Sequence, residues 1–334
     1  MRRIRFRHTL ALAVALLALA VPVAIAAFVA TTSNTGNSFQ SAAIFPGAIK
    51  MASGSYAGNG LDNQTVTVGF QPDFVIVKDT NNGEGAARSS SMAGDVSKPM
   101  GSLTAFQADH IQSLTANGFT IGTNNRVNRS GRTFHWTAFK ANSQAMRVGN
   151  YTGNGTTQSF AGFGFSPELV ILMGNNAQRA ASRFSGMSRT FGFDASTGVT
   201  TGVTALGADG FTVGAAAEAN ANTVAYSYVA FNDVANSIDV ASYAGNNTDS
   251  RNVATVGFTP EFLMVRADDT ATARSANWRP SSLAGDNTLL FTATAMGNNR
   301  IQALQANGFQ LGTSTDVNAN TVTYHYLAVR SSAP

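Results

Sequence analysis

Pro72-Asp-Phe-Val-Ile-Val-Lys78 recurs as Pro167-Glu-Leu-Val-Ile-Leu-Met173 and as Pro260-Glu-Phe-Leu-Met-Val-Arg266, each time two residues after a Gly-Phe pair. Proline can open a strand because its missing N–H falls outside the ladder, and the apolar run behind it has the length of a strand buried on one or both faces. These runs read as the central strands of three copies of one module. Asp73, Glu168 and Glu261 share one position just after the proline, where a carboxylate accepts a turn hydrogen bond more readily than it serves catalysis.

Upstream of each run stands a Gly-Asn turn: Tyr56-Ala-Gly-Asn-Gly60, Tyr151-Thr-Gly-Asn-Gly155 and Tyr243-Ala-Gly-Asn-Asn247. Downstream come Leu114-Thr-Ala-Asn-Gly-Phe-Thr-Ile-Gly122, Leu206-Gly-Ala-Asp-Gly-Phe-Thr-Val-Gly214 and Leu304-Gln-Ala-Asn-Gly-Phe-Gln-Leu-Gly312. Asn-Gly and Asp-Gly suit a type I′ hairpin, and three in register predict one in every copy. Val127-Asn128, Ala219-Asn220 and Val317-Asn318 follow, then closing strands such as Phe134-His-Trp-Thr-Ala-Phe139. Period-two geometry puts Phe134, Trp136 and Ala138 on one face and His135, Thr137 and Phe139 on the other.

Spacing is fixed at the ends of each copy and variable in the middle. Phe119 to Phe139, Phe211 to Phe231 and Phe309 to Val329 are all 20 positions, whereas Phe70 to Phe119, Phe165 to Phe211 and Phe258 to Phe309 are 49, 46 and 51. Insertions map to loops, so the variable face lies between those landmarks. The chain is therefore expected to be all-β, with three tandem antiparallel β-sandwich domains at residues 53–142, 148–233 and 239–331 and one core in each. The short connections, residues 140–148 and 232–240, limit the reach between neighbours.

The charge balance carries no argument for a polyanionic partner. Arg2, Arg3, Arg5 and Arg7 account for the net +4, and the rest of the chain carries 18 basic against 18 acidic side chains. Nothing here points to nucleic acid. Residues 10–30 form an apolar stretch behind the arginines, as in an export signal; Ala24-Ile25-Ala26 places cleavage before Ala27, giving a signal peptide of residues 1–26. The competing reading is an uncleaved anchor, the one route by which this chain would meet a membrane. There is no Cys, so an exported chain must rely on its core rather than on disulfides.

Residues 27–52 read as a linker or as a donor strand. Their first 16 residues, with Ala27-Phe28 ahead of an Asn/Thr-rich stretch and Phe39, resemble the mature start of TasA and camelysin-type biofilm-matrix fibre proteins. That resemblance implies an N-terminal strand around Phe28 and Phe39 that a neighbouring subunit accepts. Across the repeats, the series Gly-Asn-Gly, Gly69-Phe70, Pro72-Asp73, Asn117-Gly118-Phe119, Val127-Asn128 and Trp136 resembles a module of bacteriophage tail and virion-associated proteins. Repeats two and three depart from it at Tyr228 and Tyr326, and repeat two at Asp209. It implies a jelly-roll-like sandwich in structural or adhesive settings and no catalytic residues. An export signal is foreign to a virion protein, so only the fold carries over.

A side chain essential to chemistry in every copy should survive in every copy. His135 and His325 are equivalent but meet Ser227 in repeat two, and His110 has no counterpart. No metal-ligand spacing, phosphate loop or nucleophile elbow occurs, and no cofactor is expected. Arg88, Arg183 and Arg274 fall near equivalent places in the variable loops. With Trp278 as an exposed aromatic, they are the candidates for clamping or stacking on a glycan. The plainer alternative pairs these arginines with Asp95 or Asp286.

The expectation is a secreted, non-enzymatic structural protein of the cell surface or extracellular matrix that self-associates, with filaments formed by strand donation. The alternative is a multivalent adhesin for cell-surface glycan. A polysaccharide-degrading enzyme, for which Asp286 near Trp278 is the pointer, ranks third.

Overall fold

The computed structural model describes residues 48–331; the expected signal, Phe28 and Phe39 lie outside them. Among the described residues no helix is long and apolar enough to cross a membrane.

Each repeat lays down eight strands and one helical turn in the same order. The first comprises β1 (Lys50–Ala57), β2 (Gln64–Thr67), β3 (Phe74–Asp79), β4 (Ala86–Ser89), β5 (Lys98–Pro99), β6 (Ile111–Thr115), β7 (Gly118–Ile121), α1 (Asn125–Asn128) and β8 (Thr133–Lys140). The second comprises β9 (Met146–Thr152), β10 (Gln158–Ala161), β11 (Leu169–Gly174), β12 (Ala181–Phe184), β13 (Phe191–Gly192), β14 (Val203–Gly207), β15 (Gly210–Val213), α2 (Ala217–Asn220) and β16 (Ala225–Phe231). The third comprises β17 (Ile238–Ala244), β18 (Arg251–Val253), β19 (Phe262–Ala267), β20 (Asn277–Pro280), β21 (Leu289–Leu290), β22 (Ile301–Gln305), β23 (Gly308–Leu311), α3 (Thr315–Asn318) and β24 (Thr323–Val329).

The first repeat is a five-stranded sheet, order β1-β8-β3-β4-β5, over a three-stranded one, β2-β7-β6, all antiparallel. The other two repeat this arrangement strand for strand. The molecule is thus all-β, three tandem β-sandwiches.

The proline-led strands β3, β11 and β19 are buried along their whole length, and alternation sends their side chains into two different cores. Val75 and Val77 face the interior of the first sandwich with Phe119, Phe134, Trp136 and Ala138. Phe74 and Ile76 face away, into a fourth core that collects Phe139, Leu169, Ile171, Phe231, Phe262, Met264, Leu327 and Val329 from all three repeats. Instead of one core per domain there are three sandwich cores and a shared one, because the five-stranded sheets turn their outer faces to one another. The shared core is tightly closed around Phe139, whose ring meets those of Phe231 and Phe262 edge-on at 5.7 and 5.3 Å.

Backbone hydrogen bonds close the three repeats head to tail. The amide of Ala180 donates to Met100 O (3.3 Å), Ala276 to Phe193 O (3.2 Å) and Gly85 to Phe291 O (2.9 Å). These are equivalent positions, so repeat one joins two, two joins three and three returns to one. The described chain is a single pseudo-threefold ring.

The Asn-Gly hairpins form with a different turn. Thr115 pairs with Gly118, which leaves Ala116 and Asn117 as the loop, and neither has a positive φ, so the turn is not type I′. Glycine is needed one place later for space. A Cβ on Gly118, Gly210 or Gly308 would lie about 2 Å from the carbonyl oxygen of Val66, Phe160 or Val253 on the adjacent strand.

Candidate functional site

The side chains repeated three times converge on latches that hold each sandwich shut. Asn128 is fully buried; its Oδ1 accepts from Asn59 N (2.8 Å) and Gly60 N (3.1 Å), while Nδ2 donates to Leu61 O (2.7 Å) and Gly122 O (2.8 Å). Asn318 binds Asn246 N, Thr248 O and Gly312 O in the same way, and Asn220 binds Asn154 N and Thr156 O. The motif tyrosines lie alongside, with Tyr56, Tyr151 and Tyr243 donating to the carbonyls of Val127, Ala219 and Val317. The Gly-Asn turn and the distant Val-Asn pair are two halves of one clip.

Arg88, on β4, turns its guanidinium inward. It donates to the carbonyls of Val96, Met92 (3.2 Å), Gly94 (2.6 Å) and Ile111 (3.5 Å), so it organises the variable loop from beneath. Arg183 does the same with Met187 O and Val203 O. In the third repeat the equivalent residue is Arg279, not Arg274. Arg279 opposes Leu263 as Arg88 opposes Val75, and it donates to Asn287, Leu283, Gly285 and Ile301 carbonyls. A signal for this exists in the sequence, since Arg88-Ser-Ser-Ser-Met-Ala-Gly-Asp95 aligns with Arg279-Pro-Ser-Ser-Leu-Ala-Gly-Asp286 without a gap.

Arg274 pairs with Asp269 (2.8 Å) and donates to Thr315 O (2.6 Å). Trp278 is fully buried in the shared core against Phe262 and Phe291 and offers no face to a sugar. The expected arginine and tryptophan glycan site is therefore not assembled: its guanidinium groups are engaged by the chain itself, and its ring is internal. Asp286 accepts from Asn299 N, and Asp73, instead of accepting within its own turn, accepts from Ala141 N (2.9 Å) and pairs with Lys140 (2.9 Å), which ties the start of β3 to the end of β8. Among the described residues no three His, Asp or Glu side chains gather as a metal ion would require.

Several buried polar side chains that differ between repeats lie at the seams of the ring. Each seam buries one cation that donates to the backbone of the repeat across it. Lys98 reaches from repeat one to Gly174 O (2.8 Å), Asn176 O (3.2 Å) and Gln178 O (2.6 Å), with Thr104 O (2.6 Å) of its own repeat completing the set. Arg266 reaches from repeat three to Asp194 O (3.3 Å) and Ser196 O (2.9 Å) of repeat two and covers the Phe191 ring. Lys78 binds Asp79 and donates to Thr294 O (3.1 Å) across the third seam. Burial pulls the Lys98 ammonium down to about 7 and Lys78 downward, with Asp79 opposing the latter.

The equivalent trio His135, Ser227 and His325 also belongs to the seams. The end of each arginine strand and the loop after it cover the next repeat at this point: Ser282 on His135 (3.1 Å to Nδ1), Ser89 and Ser91 on Ser227 (2.5 and 2.8 Å), and Phe184 on the His325 ring. Burial pushes the His325 imidazole down to about 4 and lowers that of His135. These are contact residues that vary with their partners, which is why they differ between copies. Sequence inspection has no means of seeing the seam, because its two sides come from different repeats.

Between the first two repeats this seam opens into a cleft of about 400 Å³. Its lining holds the rings of Phe106, Tyr151 and Tyr226 and neutral polar side chains, with no charged residue. Residues 50–143, the first repeat from β1 through β8, match the family described as a domain of unknown function, DUF7483. No curated protein matches the chain.

Proposed function

We propose that this chain is a structural subunit displayed at the cell surface or in the extracellular matrix, with no catalytic role. The observation that carries this reading is the fate of the repeated side chains. Asn128, Asn220 and Asn318, and Arg88, Arg183 and Arg279, direct their donors at this chain's own carbonyls. On this reading the threefold recurrence preserves the contacts that hold the ring together. The Arg cluster and apolar stretch of residues 2–30, with no Cys in the chain, support export.

Self-association by strand donation would use an edge that the ring leaves open, such as β2, β10 or β18. An incoming strand needs an open, regular ladder. The Gly54 and Gly149 carbonyls on edge strands β1 and β9 already accept from Ser282 and Ser91 of the preceding repeat, and the edge strands β6, β14 and β22 each carry a register shift. Fractionation of producing cells, with immunogold labelling of whole cells, tests the proposal. Protein at the surface or in the matrix is the expected result, and protein confined to the cytosol would retire it.

A further inference from the structure

The three seams are built from equivalent positions, yet one differs. At the third seam the imidazole of His135 fills the space under the Ser282 loop, and at the second His325 lies against Phe184 and Gly186. At the first seam the same position is Ser227, whose small side chain reaches only Ser89 and Ser91. The volume an imidazole would take is left open, and the 400 Å³ cleft lies there.

Its lining differs in charge as well. Val96 and Asn175 stand where the second seam has Arg189 and Asp268, which attract one another. From repeat one, half-buried Phe106 and the Met92 and Val96 side chains give an apolar wall. From repeat two, the exposed amides of Asn150 and Asn175 give a polar rim. Asn150 donates to Ser91 O (3.2 Å) and keeps an amide oxygen as acceptor; Asn175 accepts from Phe106 N (3.2 Å) and keeps its NH₂ as donor. A half-buried ring flanked by one acceptor and one donor, with no ionised group, suits a ligand with an apolar face and vicinal hydroxyls. The volume is within the range of small-ligand pockets.

We propose that the cleft between repeats one and two is a binding subsite for a neutral pyranose of an uncharged glycan, with Phe106 as the stacking platform and Asn150 and Asn175 as the hydroxyl partners. This goes beyond the structural role and does not depend on it, since a cytosolic location would leave the cleft intact.

Saturation-transfer NMR on the folded chain, using the methyl glycosides of glucose, galactose, mannose and N-acetylglucosamine, tests the site. At least one is expected to bind with a millimolar Kd. Ser227→His restores the geometry of the sister seams, so it should fold normally and weaken that binding about tenfold or more. Asn150→Ala with Asn175→Ala, at exposed positions, should do the same and guards against misfolding of the first variant. The proposal fails if none of the four binds, if binding survives both sets of substitutions, or if glucuronate binds more tightly than the neutral sugars.

Discussion

The amide of Gly85 in the first repeat donates a 2.9 Å hydrogen bond to the carbonyl of Phe291 in the third, and with that bond the chain closes on itself. Beads on a string would have no such contact. Closure lets the outer faces of the three large sheets form one interior, so each sandwich depends on the other two for half the burial of its central strand. We expect a single cooperative unfolding transition by calorimetry. A chain ending before residue 238 should expose Phe74, Ile76, Phe139 and Leu169 and aggregate. Three resolved transitions, or a soluble and folded two-repeat fragment, would contradict the shared core.

At the centre of that core, Phe139 is the ring with aromatic neighbours in both other repeats. Phe139→Ala should destabilise the chain by about 3–5 kcal/mol, because the surrounding rings are held by three separate sheets and cannot collapse into the gap. Phe139→Leu should cost much less. Chemical denaturation of the two variants checks the ordering.

The arginines give a sharper test, because position along the chain and position in the fold disagree about which of them are equivalent. Arg88→Ala and Arg279→Ala each remove the buried donor beneath a loop, taking a partner from carbonyls at four positions, of which Ile301 O keeps its bond from Thr288 Oγ1 (3.0 Å), and should cost about 3–5 kcal/mol. Arg274→Ala removes one ion pair with Asp269 and one carbonyl contact near the surface and should cost about 1 kcal/mol. Equal losses at Arg274 and Arg279 would overturn the assignment of equivalence.

Those same repeats show what is legible in a sequence. Strand alternation is local, so residue order alone assigns Phe134, Trp136 and Ala138 to one face and Phe139 to the other, as the two cores bear out. What the second face meets is not local. An apolar run reads the same whether its far side packs on a partner sheet of its own domain or on a neighbouring domain, and the fourth core stays hidden. Trp278 misleads for a related reason: it sits in the stretch of variable length, which suggests an exposed loop, whereas β20 carries it inward opposite Met264. The cleft is illegible because its defining feature is a missing imidazole at Ser227.

Acid should loosen the ring. Burial pushes the imidazoles of His110 and His325 down to about 4, with the nearby Arg126 adding to the effect at His110. A histidine in the unfolded chain takes its proton near pH 6.5. Between about pH 6.5 and 4 the unfolded state therefore binds protons that the folded state refuses. Stability should fall through that window by up to about 1.4 kcal/mol per pH unit for each histidine, and should be independent of these groups above it. His325→Phe retains the ring contact with Phe184 and removes one titration. Urea midpoints from pH 7 to 4 should fall less steeply for that variant, and parallel slopes would count against the assignment.

Lys98 offers the last test, at the seam that also holds the cleft. Its ammonium lies within 3.2 Å of four carbonyl oxygens, three of them in the second repeat, and it has no carboxylate in contact. A buried cation is costly unless its donors are satisfied, and here the donors of one repeat satisfy the acceptors of the next. Lys98→Met keeps an unbranched side chain of similar reach but leaves those acceptors unmet, at a cost of about 2–4 kcal/mol. The loss should be local to the seam. Hydrogen exchange should accelerate at Ala180, whose amide donates across it to Met100, before it changes at Ala276 or Gly85, which close the other two seams. If all three amides quicken together, Lys98 stabilises the ring as a whole and not the first seam in particular.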